Sequence, residues 1–312
     1  MNNIKNLIGN TPLIKINYKY NNKVRTAYFK AEWLNFSGSI KDRVAYQIIT
    51  DAIKDNKLDS SKKIVETTSG NMGISLTAVG KAFNINTVIF MPEFMSEERK
   101  TLLKMYGAEL KLTKDFKTAF AEAQKYADEN NGFLSLQFEN ESNLKAHKIT
   151  AEEILKQTNG EFNAFLAGMG TSGTLMGVGR VVKDKTTAKV IAIEPASSQI
   201  FSRGYSLGKH KLQGLSDDII PKLYNKSIVD DIIQVTDNDA IAMAQKLAKD
   251  FGFAVGISSG ANFIGSVLTG LDKVVSVFAD DNKKYLSTDL AKPISTKLVD
   301  NIDLIDFEII TF

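Results

Sequence analysis

Residues 164–174 read AFLAGMGTSGT, an apolar run that breaks into a glycine- and hydroxyl-rich turn, and residues 175–183 (LMGVGRVVK) continue in a helical pattern. A strand that passes through glycine into a helix is the repeating unit of a parallel α/β sheet. The first turn of such a helix has backbone N–H groups without intrahelical partners. Together with the helix dipole they favour an anion such as phosphate. Gly170 and Gly173 allow close backbone approach, while Thr171, Ser172 and Thr174 add hydroxyl donors. The same residue types also make an ordinary polar helix cap. The turn matches neither a GxGxxG fingerprint nor a Walker loop, because GK is nowhere followed by Ser or Thr.

The alternation continues in both directions. Strands are expected over 25–30, 63–66, 87–91, 109–112, 164–167, 190–193 and 274–278. Helices are expected over 39–56, 73–83, 96–106, 116–130, 143–157, 175–183, 239–251 and 261–268. In the first of these, Val44, Ile48, Ile49, Ala52 and Ile53 fall on one apolar stripe. This pattern predicts an α/β fold of two domains, each with a mostly parallel sheet flanked by helices. The strand–helix units between about 41 and 137 suffice for one small sheet and those after Asn143 for a second, which suggests domains of 1–145 and 146–312.

Glycine collects at four strand-to-helix turns: NFSGSIKDR (35–43), TTSGNMG (67–73), GMGTSGT (168–174) and GISSGAN (256–262). Ligands of open α/β sheets bind beyond the carboxyl ends of the strands, so four polar turns can face one cleft. In TTSGNMG, free backbone N–H groups with Thr68, Ser69 and Asn71 suit a carboxylate or a phenolic oxygen. Lys41 opens a helix after a Gly-Ser turn. Most lysines are solvated surface charges, but one in a cleft with a lowered pKa can form a Schiff base with a carbonyl cofactor.

With 312 residues, a mass of 34.4 kDa and 43% hydrophobic content, the chain can build large cores without staples. Lys and Arg total 39 against 36 acidic residues, a net charge of +3 spread without a basic block, so nucleic acid is not an expected partner. There are no cysteines and only two histidines, which removes disulfides, thiol nucleophiles and multi-histidine metal sites from consideration. The opening MNNIKNLIGNTPLIKIN does not read as a secretory leader, and no apolar run reaches about 18 residues, so a cytoplasmic protein without membrane contact is expected.

The motifs taken in order resemble fold type II pyridoxal-phosphate enzymes, whose architecture is that of the tryptophan synthase β subunit, and within them the cysteine synthase group. The resemblance runs through IGNTPL (8–13), SGSIKDR (37–43), TTSGNMG, LQFEN (136–140), GMGTSGT, KLQGLSDDIIP (211–221), GISSGAN and KYLS (284–287). It implies that Lys41 holds pyridoxal 5'-phosphate as a Schiff base and later carries the substrate α-proton. By the same resemblance Asn71 meets the cofactor's ring oxygen, and Gly170, Thr171, Ser172, Gly173 and Thr174 bind its phosphate. Thr68, Ser69, Asn71, the backbone at Met72, Gln137 and Gly214 form the substrate side, and Ser258 faces the pyridine nitrogen. A neutral hydroxyl there makes the ring a weaker electron sink than a carboxylate partner would, which favours loss of a group from Cβ and β-replacement through an α-aminoacrylate, with sulfide entering or leaving. The resemblance also implies a homodimer, a mobile small domain over about 41–140 with the first strands crossing to the other domain, and serine acetyltransferase as a partner.

Two departures bear on the substrate. Met72 replaces a threonine of the group's TSGNTG loop, and GLSDDII at 214–220 puts adjacent acids, Asp217 and Asp218, where small neutral residues are usual. As a solvated loop these acids cap a helix. In the cleft, one carboxylate activates water or attracts the ammonium of an incoming amino acid. L-Cysteine then becomes a donor that releases sulfide and yields serine or lanthionine. Two further readings are a phosphoserine-dependent diamino acid synthase and a catalytically silent binding protein. His147 reads as a partly buried helix histidine, His210 as exposed, and Trp33 as core or interface. The ending VDNIDLIDFEIITF (299–312) can add a helix or a strand, or cover an interface between copies.

Overall fold

The structure, a computed structural model, describes residues 3–68, 70–216 and 219–312. Its strands are β1 (Leu13–Tyr20), β2 (Lys23–Ala31), β3 (Ile64–Thr67), β4 (Thr87–Pro92), β5 (Glu109–Thr113), β6 (Phe133–Leu134), β7 (Ala164–Gly168), β8 (Lys189–Pro195), β9 (Ser198–Gln199), β10 (Tyr205–Ser206), β11 (Asp231–Val235), β12 (Val274–Phe278) and β13 (Ile302–Ile310). The helices are α1 (Lys41–Lys54), α2 (Asn71–Ala82), α3 (Glu97–Met105), α4 (Phe116–Glu129), α5 (Glu141–Thr158), α6 (Gly173–Lys185), α7 (Asp237–Phe251), α8 (Ile257–Leu268) and the single turn α9 (Lys297–Asp300).

Two sheets result. Four parallel strands in the order β5-β4-β3-β6 form the smaller one. Seven strands in the order β11-β8-β7-β12-β2-β1-β13 form the larger, parallel from β11 to β2 and closed by antiparallel β1 and β13. The two-stranded ribbon β9-β10 stands apart. Strands buried on both faces need continuous apolar runs, and β4 (TVIFMP) and β12 (VVSVF) are buried at every position. The edge strand β13 is mostly exposed and sets Asp303, Asp306 and Glu308 among apolar residues.

The strand–helix alternation expected from the sequence is present. Strands β1, β6, β9, β10, β11 and β13 go beyond those expected: β6, β9 and β10 are only two residues long, and β1 and β11 mix polar and apolar residues because one face of each is only partly covered. The C-terminal ending takes its strand form, pairing with β1 from Leu13↔Ile310 to Tyr20↔Ile302. On one face of the larger sheet Phe29 stacks between Phe263 and Phe278, with centroids 5.1 and 4.2 Å away. Trp33 packs at the rim of that core, against Phe253 and Phe278. Around the smaller sheet the stripe Val44, Ala45, Ile48, Ile49 and Ala52 of α1 packs with Leu76 and Val79 of α2.

A buried ion cluster ties α1 to the larger sheet. The Arg43 guanidinium donates to both carboxylate oxygens of Glu32 and to both of Glu153, and Lys30 pairs with Glu153 at 2.7 Å. Two cations and two anions balance, the condition under which buried charge is tolerated.

Candidate active site

Turns beyond strand ends of both sheets meet in a cleft that encloses about 570 Å³ including its open mouth. Lys41, Asn71, Gly170, Thr171, Ser172, Gly173, Thr174, Gly214 and Ser258 line it, so nine residues singled out in the sequence converge from segments far apart in the chain. Thr68, Met72 and Gln137 do not line it. The Met72 side chain lies in the apolar core of the smaller sheet, which explains why an apolar residue is accepted there. Thr68 is buried behind the cleft, its hydroxyl accepting from the Gly70 N–H at 3.1 Å. Gln137 donates to the Thr67 carbonyl, while its own carbonyl accepts from Asn143. Ser69, Asp217 and Asp218 lie outside the described residues.

Lys41 owes its place to a strap between α1 and β12. The Ile40 N–H donates to the Ala279 carbonyl at 2.9 Å, and Gly38 turns with φ +86°, a left-handed conformation that favours glycine. Asn71 begins α2, and Ser258 sits in the first turn of α8.

The turn after β7 is built around close backbone approach. A Cβ on Gly170 would lie 2.2 Å from the Gly214 carbonyl oxygen, and one on Gly173 would lie 2.0 Å from Asn143 Oδ1. Asn143 in turn donates to Thr171 Oγ1 at 3.1 Å, which also accepts from the Gly173 N–H. Ser172 caps α6 in the left-handed region, φ +63°, but its hydroxyl makes no capping bond and is buried with no partner among the described residues. Asn71 Oδ1 is likewise buried without one. Buried polar atoms are nearly always bonded, so these atoms mark where a polar ligand belongs.

His147 was not expected to act here, and nothing in its neighbourhood along the chain indicates that it does. The structure buries it fully on α5 with Nε2 3.2 Å from Thr174 Oγ1 and Nδ1 3.4 Å from Thr150 Oγ1. Burial, reinforced by the charges of Lys41 and Arg43, lowers its pKa to about 3, so it is neutral in the working range. His210 is half-buried rather than exposed and bonds the Ser216 carbonyl through Nε2. Asp280 and Tyr285, also not foreseen, bond one another behind Asn71.

Pyridoxal phosphate fits the residues present. The unpartnered Ser172 hydroxyl, the glycine-lined start of α6 and the Thr174 hydroxyl suit its phosphate; Lys41 would offer the amine and Asn71 an amide. Among the described residues no group of three His, Cys, Asp or Glu side chains is placed to hold a metal ion, and no helix is long and apolar enough to cross a membrane.

Residues 4–280 match the family described as pyridoxal-phosphate dependent enzyme. Cysteine synthase B of Campylobacter jejuni is 41% identical over 92% of this chain and 97% of its own. Cysteine synthase of Staphylococcus aureus is 40% identical over 93% and 97%. Among solved structures, a hydrogen sulfide-producing enzyme from Fusobacterium nucleatum superposes with a TM-score of 0.95 at 38% identity, covering 99% of this chain and 98% of that one. The same enzyme was also solved as an aspartate-to-asparagine variant with an α-aminoacrylate intermediate. A family match over most of the length, relatives at this identity and a cleft that gathers Lys41 with the glycine turns agree: the chain belongs to the pyridoxal-phosphate dependent enzymes, in the cysteine synthase group.

Proposed function

We propose that the protein catalyses β-replacement on a serine-derived or cysteine substrate, with sulfide as the incoming or outgoing group. The single observation that carries the assignment of its residues is the convergence of Lys41, Asn71, the 170–174 turn and Ser258 on one cleft. Bound pyridoxal phosphate supplies the electron sink that makes the substrate's α-proton acidic and its β-substituent a leaving group.

Within that chemistry each residue has a task. The 170–174 turn and Thr174 hold the phosphate, and Asn71 orients the ring through its amide. Lys41 would carry the cofactor, and its amine would move the α-proton at the substrate's Cα. Ser258 offers the ring nitrogen a neutral hydroxyl. Ser69 and the N–H groups that open α2 take the α-carboxylate, while Thr68 braces this loop from behind through the Gly70 N–H and Gln137 through the Thr67 carbonyl. Residues from about 41 to 140 close over the substrate, a motion supported by their separate four-stranded sheet, while the Arg43 cluster holds the start of α1 to the larger sheet.

A second reading takes cysteine as donor, supported by the likeness to an enzyme described as hydrogen sulfide-producing. The likeness to the Fusobacterium enzyme covers 99% of 312 residues, leaving about three outside, and so takes in β13. Asp217 or Asp218, two and three residues after the cleft-lining Leu215, then activates water or draws in a second amino acid, forming serine or lanthionine. The protein would act in the cytoplasm as a homodimer, supported by the exposed Ile305, Phe307 and Ile309 of β13, and serine acetyltransferase is a candidate partner.

Borohydride reduction of the holoenzyme followed by peptide mapping should place the cofactor on Lys41; a label elsewhere, or none, refutes the assignment. Sulfide release from L-cysteine should fall at least tenfold in Asp217→Asn or Asp218→Asn. Parent-like release in both variants, with efficient use of O-acetylserine, removes the cysteine-donor reading.

A further inference from the structure

Asp280 follows β12 and is fully buried. Its Oδ2 accepts from Asn71 Nδ2, at the start of α2, and from the Tyr285 hydroxyl, each at 2.7 Å. Its Oδ1 is buried without a partner among the described residues, against Gly256, where a Cβ would come within 2.0 Å of it. The backbone on both sides is pinned: the Gly256 N–H donates to the Asp280 carbonyl at 3.0 Å, and Asp280 bridges Ser39 two residues before Lys41. The Arg99 guanidinium covers the Tyr285 ring at 4.8 Å from its centroid and holds it in place.

An ionised carboxylate can only accept hydrogen bonds, whereas a primary amide has one accepting and one donating end. The nitrogen of Asn71 must therefore face Asp280, since a flipped amide would set two acceptor oxygens against each other. That leaves the amide oxygen and the second N–H in a fixed orientation on the cleft side of the contact. We propose that Asp280, backed by Tyr285, is a positioning residue that dictates which end of the Asn71 amide the cofactor meets. This rests on the reading of Asn71 as a cofactor-holding residue. The contact also joins α2, which packs on the smaller sheet, to the end of a strand in the larger, so the orientation is set by the approach of the two sheets.

The test is a double-mutant cycle on the holoenzyme, measuring retention of pyridoxal phosphate on dialysis against graded concentrations of it, with the visible spectrum recorded alongside. Asn71→Ala and Asp280→Asn should each weaken retention about tenfold and Tyr285→Phe about threefold, the scale of one hydrogen bond to a charged group. Asp280→Asn should move the visible band in the same sense as Asn71→Ala. In the Asn71→Ala background, adding Asp280→Asn or Tyr285→Phe should change retention less than about twofold. Losses that persist in that background overturn the proposal, as do parent-like single variants beside a weakened Asn71→Ala. If Asp280→Asn does not fold, the Tyr285→Phe cycle decides by the same criteria. A parent-like Asn71→Ala overturns the reading of Asn71 and the proposal with it.

Discussion

Replacing Arg43 with methionine keeps much of its bulk but removes the charge that neutralises Glu32 and Glu153. Burial opposes ionisation of Glu32, yet the charge and hydrogen bonds of Arg43, aided by Lys30 and Thr11, hold its pKa from an ordinary 4.5 down to about 2. That difference corresponds to roughly 3 kcal/mol favouring the charged form in the fold. Removing one partner from a buried pair costs about 3–5 kcal/mol, which agrees. Lys30 can then balance only one of two buried carboxylates, so the variant must either bear a buried net negative charge or take up a proton. The parent keeps Glu32's contribution above pH 4.5 and loses it as pH falls through about 2. In Arg43→Met the shift reverses, so the deficit should grow as pH rises. Urea unfolding followed by circular dichroism at pH 5 and pH 8 reads both effects. We expect a loss of about 3–5 kcal/mol at pH 8 and a smaller one at pH 5. A loss below about 1 kcal/mol, or equal losses at both values, refutes the reasoning.

Burial raises the Glu66 carboxyl to about 7 despite hydrogen bonds from Ser135, Gln137 and Thr67. Its folded pKa exceeds the ordinary 4.5, so stability should decline as pH rises from 4.5 through 7. Thermal melts of Glu66→Gln should show a flatter pH dependence than the parent over that range. His147 has the opposite sign: its contribution is present above pH 6.5 and lost as pH falls toward about 3, and acid melts of His147→Leu should lack that decline. His147→Leu should also shed cofactor faster on dialysis, because Thr174 loses the group that orients it. Gly173→Ala should lower cofactor affinity tenfold or more in equilibrium dialysis, since its methyl lands on Asn143 and displaces the anchor of Thr171.

The fold class was legible along the chain because parallel strands buried on both faces must be short, continuous and apolar, and each must be followed by a helix. The glycine turns were legible for a related reason: positions such as Gly170 and Gly173 tolerate no Cβ, and that constraint is written as residue type. β13 was not legible as a strand, since the strand it pairs with, β1, lies nearly the whole chain away, and β1 was missed because polar residues interrupt its apolar pattern. The same holds for His147, Asp280 and Tyr285, whose roles depend on contacts across sequence gaps that no local pattern records. Met72 marks the boundary between the two kinds of knowledge. Its identity reads as a lost hydroxyl in a binding loop, but its side chain turns into the core, and the direction of a helix's first turn is set by what that helix packs against. Composition and spacing thus determined the kind of sheet and the glycine turns, and the resemblance carried by the motifs taken together pointed to the lysine. Tertiary packing alone decided which side chains reach the cleft and how Asn71 is turned, because those depend on two separately folded sheets meeting at one place.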